Sequence, residues 1–257
     1  MNAPLTEQAA ALTIEGACRT LRLPTVREVA TPLAEAAVRD HVTHLGYLAE
    51  VFGAELDDRD ARRRERRITE ARFPRLKHLA EFDLGAAPSI NPATLAALET
   101  GAWIDAGEPV VLLGDSGTGK SHLLIGLGLA ACEQGRRVRY VTTAGLVNEL
   151  AEAADERTLS RVVGRYGRLD LLLLDELNYV HLDPRGAELL FQVLTEREEK
   201  NSVAIASNQS FSGWTSTFTD PRLCAAIIDR LTYHGTIIET GTHSYRLAHS
   251  RTQVAAN

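Results

Sequence analysis

Within residues 110–127 the chain passes from an apolar run, Val110-Val-Leu-Leu113, through Gly114-Asp115-Ser116-Gly117-Thr118-Gly119-Lys120-Ser121-His122 into Leu123-Leu-Ile-Gly-Leu127. A strand that enters a glycine loop and leaves it as a helix opens a βαβ unit, so this stretch points to an α/β fold with parallel strands. The loop satisfies G-x-x-x-x-G-K-[ST] in full. Its glycines let backbone N–H groups curl round an anion, and the helix N-terminus adds its positive dipole end. Residues 114–122 are therefore expected to hold the phosphates of ATP. Lys120 would neutralise β/γ-phosphate oxygens, and the Ser121 hydroxyl would hold Mg²⁺.

The surrounding texture agrees. Short apolar runs at Pro109–Leu113, Val138–Thr142, Leu169–Leu174, Val203–Ser207 and Thr236–Glu239 alternate with helical stretches at Lys120–Gln134, Ala144–Ala154, Pro184–Lys200 and Leu223–Thr232. Strands separated by helices imply a mostly parallel five-stranded sheet covered on both faces. One run, Leu171-Leu-Leu-Leu174, ends in Asp175-Glu176. A strand buried on both faces puts such acids at its exposed end. Asp175 is expected in the Mg²⁺ shell, and Glu176 is expected to polarise an attacking water. The strand between the two motifs favours the ATPases that carry a catalytic glutamate over nucleotide kinases. Gly114-Asp115-Ser116-Gly117 alone also resembles the nucleophile segment of trypsin-like proteases. That fold is all-β and usually disulfide-bonded, whereas this serine is about to enter a helix.

Before residue 73 the sequence reads as helices, rich in Ala, Leu, Glu and Arg, with breaks expected at Pro24 and Pro32 and possible ones at Gly46 and Gly53. Apolar residues from Leu33 to Leu48 suggest one helix face. The reading divides the chain into a helical N-terminal domain (1–72), a connector with one short helix at about Pro92–Leu98 (73–107), an ATPase core (108–248) and a tail (249–257). Net charge is −6, yet Asp57–Lys77 carries nine basic and five acidic residues, +4 against −10 elsewhere. Arg59, Arg62, Arg63 and Arg66 recur at i, i+3, i+4 and i+7, so they share a helix face that could track DNA phosphates. A mixed-charge helix is also the ordinary form of a solvated surface.

Three scattered cysteines exclude a disulfide scaffold, and neither they nor the eight histidines have metal-site spacing. No apolar run nears the roughly 20 residues of a membrane span. The start, MNAPLTEQAA, has no secretion signal, so a cytoplasmic protein is expected.

Several segments together resemble the IstB family, AAA+ helper ATPases of bacterial insertion sequences related to the helicase loader DnaC. They are Ala71-Arg-Phe-Pro-Arg-Leu-Lys77, Phe82-Asp-Leu84, Trp103-Ile-Asp-Ala-Gly-Glu108, the phosphate loop, Asp175-Glu-Leu-Asn-Tyr179, Gly186-Ala-Glu-Leu-Leu-Phe191, Ser207-Asn208, Asp229-Arg-Leu231 and Ser244-Tyr-Arg246. They span about residues 20–248. The chain departs from the family's pattern at Asp115-Ser116, often prolines there, and at Asn178, often glycine. An acidic Asp115 beside the phosphates would weaken binding slightly.

The resemblance implies that Asn208 orients the lytic water and that Arg230 is an arginine finger reaching a neighbouring subunit's site. Arg222 is the substitute for the finger, and Arg246 a candidate second sensing arginine. Read alone, Asn208 is a turn residue and Arg230 a helix-end cation paired with Asp229. The 18 residues after Glu239 are too few for the helical lid many AAA+ proteins carry. The implied role is ATP-dependent homo-oligomeric assembly on duplex DNA, through sequence-independent backbone contact, and delivery of that DNA to a transposase. A DnaC-like replicative helicase loader is the alternative. The Phe82 and Trp103 segments and the lack of a cysteine cluster favour the former, and intact Lys120, Asp175 and Glu176 argue against a non-enzymatic adaptor.

Overall fold

The computed structural model describes residues 6–179, 181–218, 220–242, 244 and 245. After Glu65 the chain divides into two compact units. The N-terminal unit contains α1 (Glu7–Leu21), α2 (Pro24–Arg39) and most of α3 (His44–Ala71). Thr6 caps α1, its hydroxyl accepting from Ala9 N, and Arg22 closes the helix in the left-handed region. Pro24 then starts α2 at a position where no N–H is needed. A small core of Cys18, Val26, Ala30 and Val51 joins the helices, with Leu23, Leu33 and Tyr47 against it.

The helices depart from the sequence expectation at three points. Pro32 lies inside α2, which continues through it because Val26 and Ala30 before it and Ala37 after it are all buried. Gly46 and Gly53 likewise fall within α3. The stretch from Leu33 to Leu48 is not one helix, because residues 40–43 form a turn between α2 and α3. Val38 and Leu45 are 78% and 80% exposed, so its apolar residues do not share a buried face.

Glu55 holds this unit together. Although buried, its carboxylate accepts from Thr25 N at 2.9 Å and Val26 N at 3.0 Å, the first amides of α2, and from Arg59 Nε at 2.8 Å. Burial pushes its pKa up, but the Val26, Arg59 and Thr25 donors outweigh burial and hold it below the usual 4.5.

The second unit holds α4 (Pro92–Glu99), α5 (Ala102–Asp105), β1 (Val110–Leu113), α6 (Lys120–Glu133), β2 (Val138–Thr142), α7 (Thr143–Asp155), α8 (Leu159–Gly167), β3 (Leu171–Asp175), α9 (Pro184–Arg197), β4 (Ser202–Ser207), α10 (Pro221–Thr232) and β5 (Thr236–Glu239). The five strands lie parallel in the order β2-β3-β4-β1-β5. Successive strand residues face opposite sides. Val110, Leu112, Leu171 and Leu173 join the core with α4, α5 and α6, while Val111, Leu113, Leu172 and Leu174 join the core with α7, α8, α9 and α10. Burial on both faces explains why these strands read as unbroken apolar runs.

Helix α8, absent from the sequence reading, buries Val162 and Tyr166. Arg197, 1% exposed, donates to the carbonyls of Tyr166, Leu169, Asp170 and Ser202, tying α8 to the starts of β3 and β4. Among the described residues no helical domain follows β5. No described helix is long and apolar enough to cross a membrane.

The N-terminal unit is expected to lose stability as pH falls below 4.5 through the folded-state pKa of Glu55, since a depressed carboxylate stabilises only while ionised. Amide hydrogen exchange in α2 should accelerate over that window in the wild type. In Glu55→Gln it should be fast already at pH 7 and show no further step.

Candidate nucleotide site

The C-terminal ends of three adjacent strands, β3, β4 and β1, meet at one edge of the sheet. Register places Leu113 beside Ser207 on one side and beside Glu239 on the other. A cavity of about 350 Å³ opens there, lined by residues 116–122, Asp175, Glu176 and Asn208, and by Phe82 and Ala87 of the connector. The structure thus brings both predicted acids and Asn208 to the phosphate loop. Gly114 and Asp115 form the loop's base.

The loop's geometry requires its glycines. Gly119, the residue before α6, has φ 96°, and a Cβ there would stand 2.6 Å from the Phe82 ring. Gly117 has φ 86°, and its Cβ would meet Ser244 Oγ at 2.3 Å. Lys120 is buried, and its ammonium donates to the carbonyls of Gly114 at 2.6 Å and Asp115 at 2.7 Å. Thr118 Oγ1 lies 2.5 Å from Thr240 Oγ1 and donates to Asp115 O. Asp115 N donates to Gly241 O and Tyr245 N to Gly117 O, so the segment after β5 braces the loop.

Asp175 is only 4% exposed. Its Oδ2 accepts from the Tyr140 hydroxyl at 2.8 Å and its Oδ1 from Glu176 N at 2.9 Å, while Thr143 donates to its carbonyl. Burial, and then the Asp175 carboxylate beside it, hold the Tyr140 phenol far above its ordinary pKa, so it remains a donor. Glu176 is exposed to the cavity in a left-handed conformation, φ 62°. The chemistry available is a buried carboxylate, an exposed carboxylate, a hydroxyl from Ser121 and an ammonium around one concave, glycine-lined space. Among the described residues no cluster of three His, Cys, Asp or Glu could hold a metal. Ser121 and Asp175 suit Mg²⁺ in another way, since that ion is commonly held by one or two protein ligands together with substrate phosphates.

The remaining predicted residues sit elsewhere or do other work. His122 lines the cavity, but its Nε2 is 2.9 Å from His78 O and its ring stacks edge-on with Phe82. Arg230 lies at the opposite ends of the strands, in a second cavity of about 490 Å³ lined by Pro109, Asn201 and Val203. Its partner is Glu198, at 2.6 Å, rather than Asp229, and its guanidinium lies 4.3 Å over the Phe191 ring. Arg222 is exposed at the start of α10, and Arg246 lies outside the described residues. All four α3 arginines are ion-paired on their own helix: Arg59 with Glu55, Arg62 with Asp58, Arg63 with Asp60 and Arg66 with Glu70.

Tyr140, Thr143 and Thr240 belong to the site although no local sequence motif marks them. Placing β2 beside β3 would have found Tyr140, since Thr142 pairs with Asp175 and Tyr140 lies two residues along the same face.

Comparison with known proteins gives the setting. A family described as IstB-like ATP binding protein matches residues 16–253. An insertion sequence ATP-binding protein of Sinorhizobium fredii is 37% identical over 227 residues, covering 88% of this chain and 76% of the relative. The IS5376 ATP-binding protein of Geobacillus stearothermophilus is 33% identical over 236 residues, 92% of this chain and 94% of the relative. Among solved structures, AMPPCP-bound DnaA from Aquifex aeolicus matches with a TM-score of 0.55 and 22% identity, over 72% of this chain and 56% of that one. A DNA replication initiation factor matches with a TM-score of 0.52 and 23% identity, over 63% and 48%. The chain spans about half the length of these two structures, and the likeness is one of AAA+ fold.

Gly119→Ala should lower the unfolding free energy by about 2 kcal/mol, because an L side chain is disfavoured at this φ and Phe82 must move. A urea titration measures it, and an unchanged midpoint would contradict the packing of Phe82 on the loop.

Proposed function

Because the chain belongs to the family of IstB-like ATP-binding proteins, we propose that it is the ATP-hydrolysing helper of an insertion sequence, which oligomerises on duplex DNA and delivers that DNA to a transposase. The observation that carries the enzymatic part is the meeting of Lys120, Ser121, Asp175, Glu176 and Asn208 around one cavity.

In this reading the triphosphate lies along residues 114–121, with loop amides and the start of α6 facing its oxygens. Lys120 neutralises charge between the β- and γ-phosphates. Ser121 and Asp175 would hold Mg²⁺, which would offset negative charge on the phosphate oxygens. Tyr140, donating to Asp175, keeps the second Asp175 oxygen from wandering. Glu176 accepts a proton from the water that attacks the γ-phosphorus, and Asn208 orients that water. The bond from the γ-phosphorus to the bridging oxygen breaks, leaving ADP and phosphate. Arg230, at the far strand ends, serves a neighbouring copy's site rather than its own. Multiple copies on one duplex would supply that arrangement.

Contact with DNA is assigned to Arg62, Arg63 and Arg66, whose side chains are well exposed. No base readout is assigned to them, so binding should be insensitive to sequence.

Glu176→Gln should retain ATP binding and hydrolyse it about 10²- to 10⁴-fold more slowly, and gel shifts with ATP–Mg²⁺ should trap it in large complexes on duplex DNA. Rapid turnover would remove Glu176 from the mechanism. A preference for single strands would move the reading to a helicase loader. Replacing Arg62, Arg63 and Arg66 by Gln together should weaken duplex binding equally across sequences. It should also reduce the slope of log K against log salt by up to about 2.7, and an unchanged slope would place the DNA surface elsewhere.

A further inference from the structure

The acid that faces the attacking water is carried by a turn with little intrinsic reason to hold its shape. Glu176 occupies the left-handed region, which a non-glycine residue adopts only where its neighbours impose it. Its backbone amide is fixed by Asp175 Oδ1, Leu177 N donates to Ala206 O at 3.2 Å, and Tyr179 N returns to Glu176 O. A further tie comes from a side chain. The Asn178 amide donates from Nδ2 to Thr217 Oγ1 at 2.7 Å, while its Oδ1 accepts from the Ser207 hydroxyl. Thr217 and Ser207 are both almost fully buried. Ser207 also accepts from Trp214 Nε1 at 3.0 Å and Gln209 N at 3.1 Å.

Ser207 is the last residue of β4, immediately before Asn208. The Asn178 amide therefore bridges the turn of Glu176 to the strand end that presents Asn208, with Thr217 and the buried Trp214 as the rigid backing. A half-buried amide paired through both its nitrogen and its oxygen fixes geometry, because breaking either arm leaves the buried Thr217 or Ser207 hydroxyl short of a partner away from water.

We infer that Asn178 is a positioning residue for ATP hydrolysis: through Ser207 and Thr217 it sets Glu176 and Asn208 relative to one another, and it contacts neither nucleotide nor water itself. This rests on the reading of Glu176 and Asn208 as the water-facing pair. Nucleotide binding, which depends on the phosphate loop, should be indifferent to it.

The test is steady-state ATP hydrolysis by the full chain with duplex DNA present, alongside binding of a non-hydrolysable ATP analogue. Asn178→Ala should lower kcat roughly tenfold, as expected when a reacting group is misplaced by a fraction of an ångström, and leave KM and analogue affinity within about twofold. Thr217→Val, which removes the far anchor of the same amide, should lower kcat less. The double variant should be no slower than Asn178→Ala alone, since both remove one connection. Full kcat in Asn178→Ala, strictly additive losses, or a parallel loss of analogue affinity would each overturn the inference. A wild-type chain that binds the analogue yet hydrolyses no ATP would instead sink the reading on which it rests.

Discussion

Everything at the site depends on β1 being paired on both sides. Leu113 shares its level with Ser207 of β4 and Glu239 of β5, and the backbone continues those ladders past the strand end. Gly114 N reaches Ser207 O at 3.3 Å, Thr240 N reaches Leu113 O at 2.7 Å, and Asp115 N reaches Gly241 O at 3.1 Å. The phosphate loop is thereby anchored at its root from two directions, which leaves its later residues free to curl. A loop attached to an edge strand would have had one such wall. Pre-formed donors that need no rearrangement are what makes an anion site effective, and here the sheet order supplies the pre-formation.

The same order explains why acids, hydroxyl and asparagine meet. With β3, β4 and β1 adjacent, the residues just past Leu174, Ser207 and Leu113 fall in a line, although they are far apart in sequence. Their types were legible from local pattern: a glycine loop between strand and helix, and an apolar run ending in two carboxylates. The central strands β1, β3 and β4 were legible because burial on both faces writes them as nearly unbroken apolar runs. What was not legible is whatever depends on register between distant segments, such as the Tyr140 hydroxyl on Asp175 or Thr240 against Thr118. Helix α8 escaped because its nine residues include Arg161 and Arg165, and only Val162 and Tyr166 turn fully inward. The turn at residues 40–43 escaped because Val38, Val42 and Leu45 mimic a helical stripe, although Val38 and Leu45 lie in solvent.

Arg230 illustrates a different limit. Its sequence neighbour Asp229 is the obvious partner, yet the ion pair forms with Glu198, 32 residues away. The ring of Phe191 lies beneath the guanidinium, an arrangement that suits arginine because the planar group is weakly hydrated. One of its nitrogens, Nη1, is buried without a partner. A guanidinium with an unused donor beside a cavity is chemically suited to donate to a further anionic or carbonyl oxygen. Nothing in residues 229–231 taken alone distinguishes that from an ordinary helix end.

Among the α3 arginines, physical chemistry separates those that can turn to a DNA phosphate from the one that cannot. Exposed pairs three or four residues apart on a helix are worth only about 0.3–0.5 kcal/mol. Exchanging Asp58, Asp60 or Glu70 for a phosphate therefore costs Arg62, Arg63 and Arg66 little. Arg59 is different. Its partner Glu55 is buried and also receives the first amides of α2, and Arg59 Nη2 donates to Arg22 O at 2.7 Å. Pulling Arg59 away would leave a buried carboxylate short of its cation, a loss far larger than a surface pair. The four residues share a spacing, but three belong to the solvated face and one to the structure of the N-terminal unit. Spacing alone cannot make that distinction, because it depends on what lies across the helix at Thr25 and Val26.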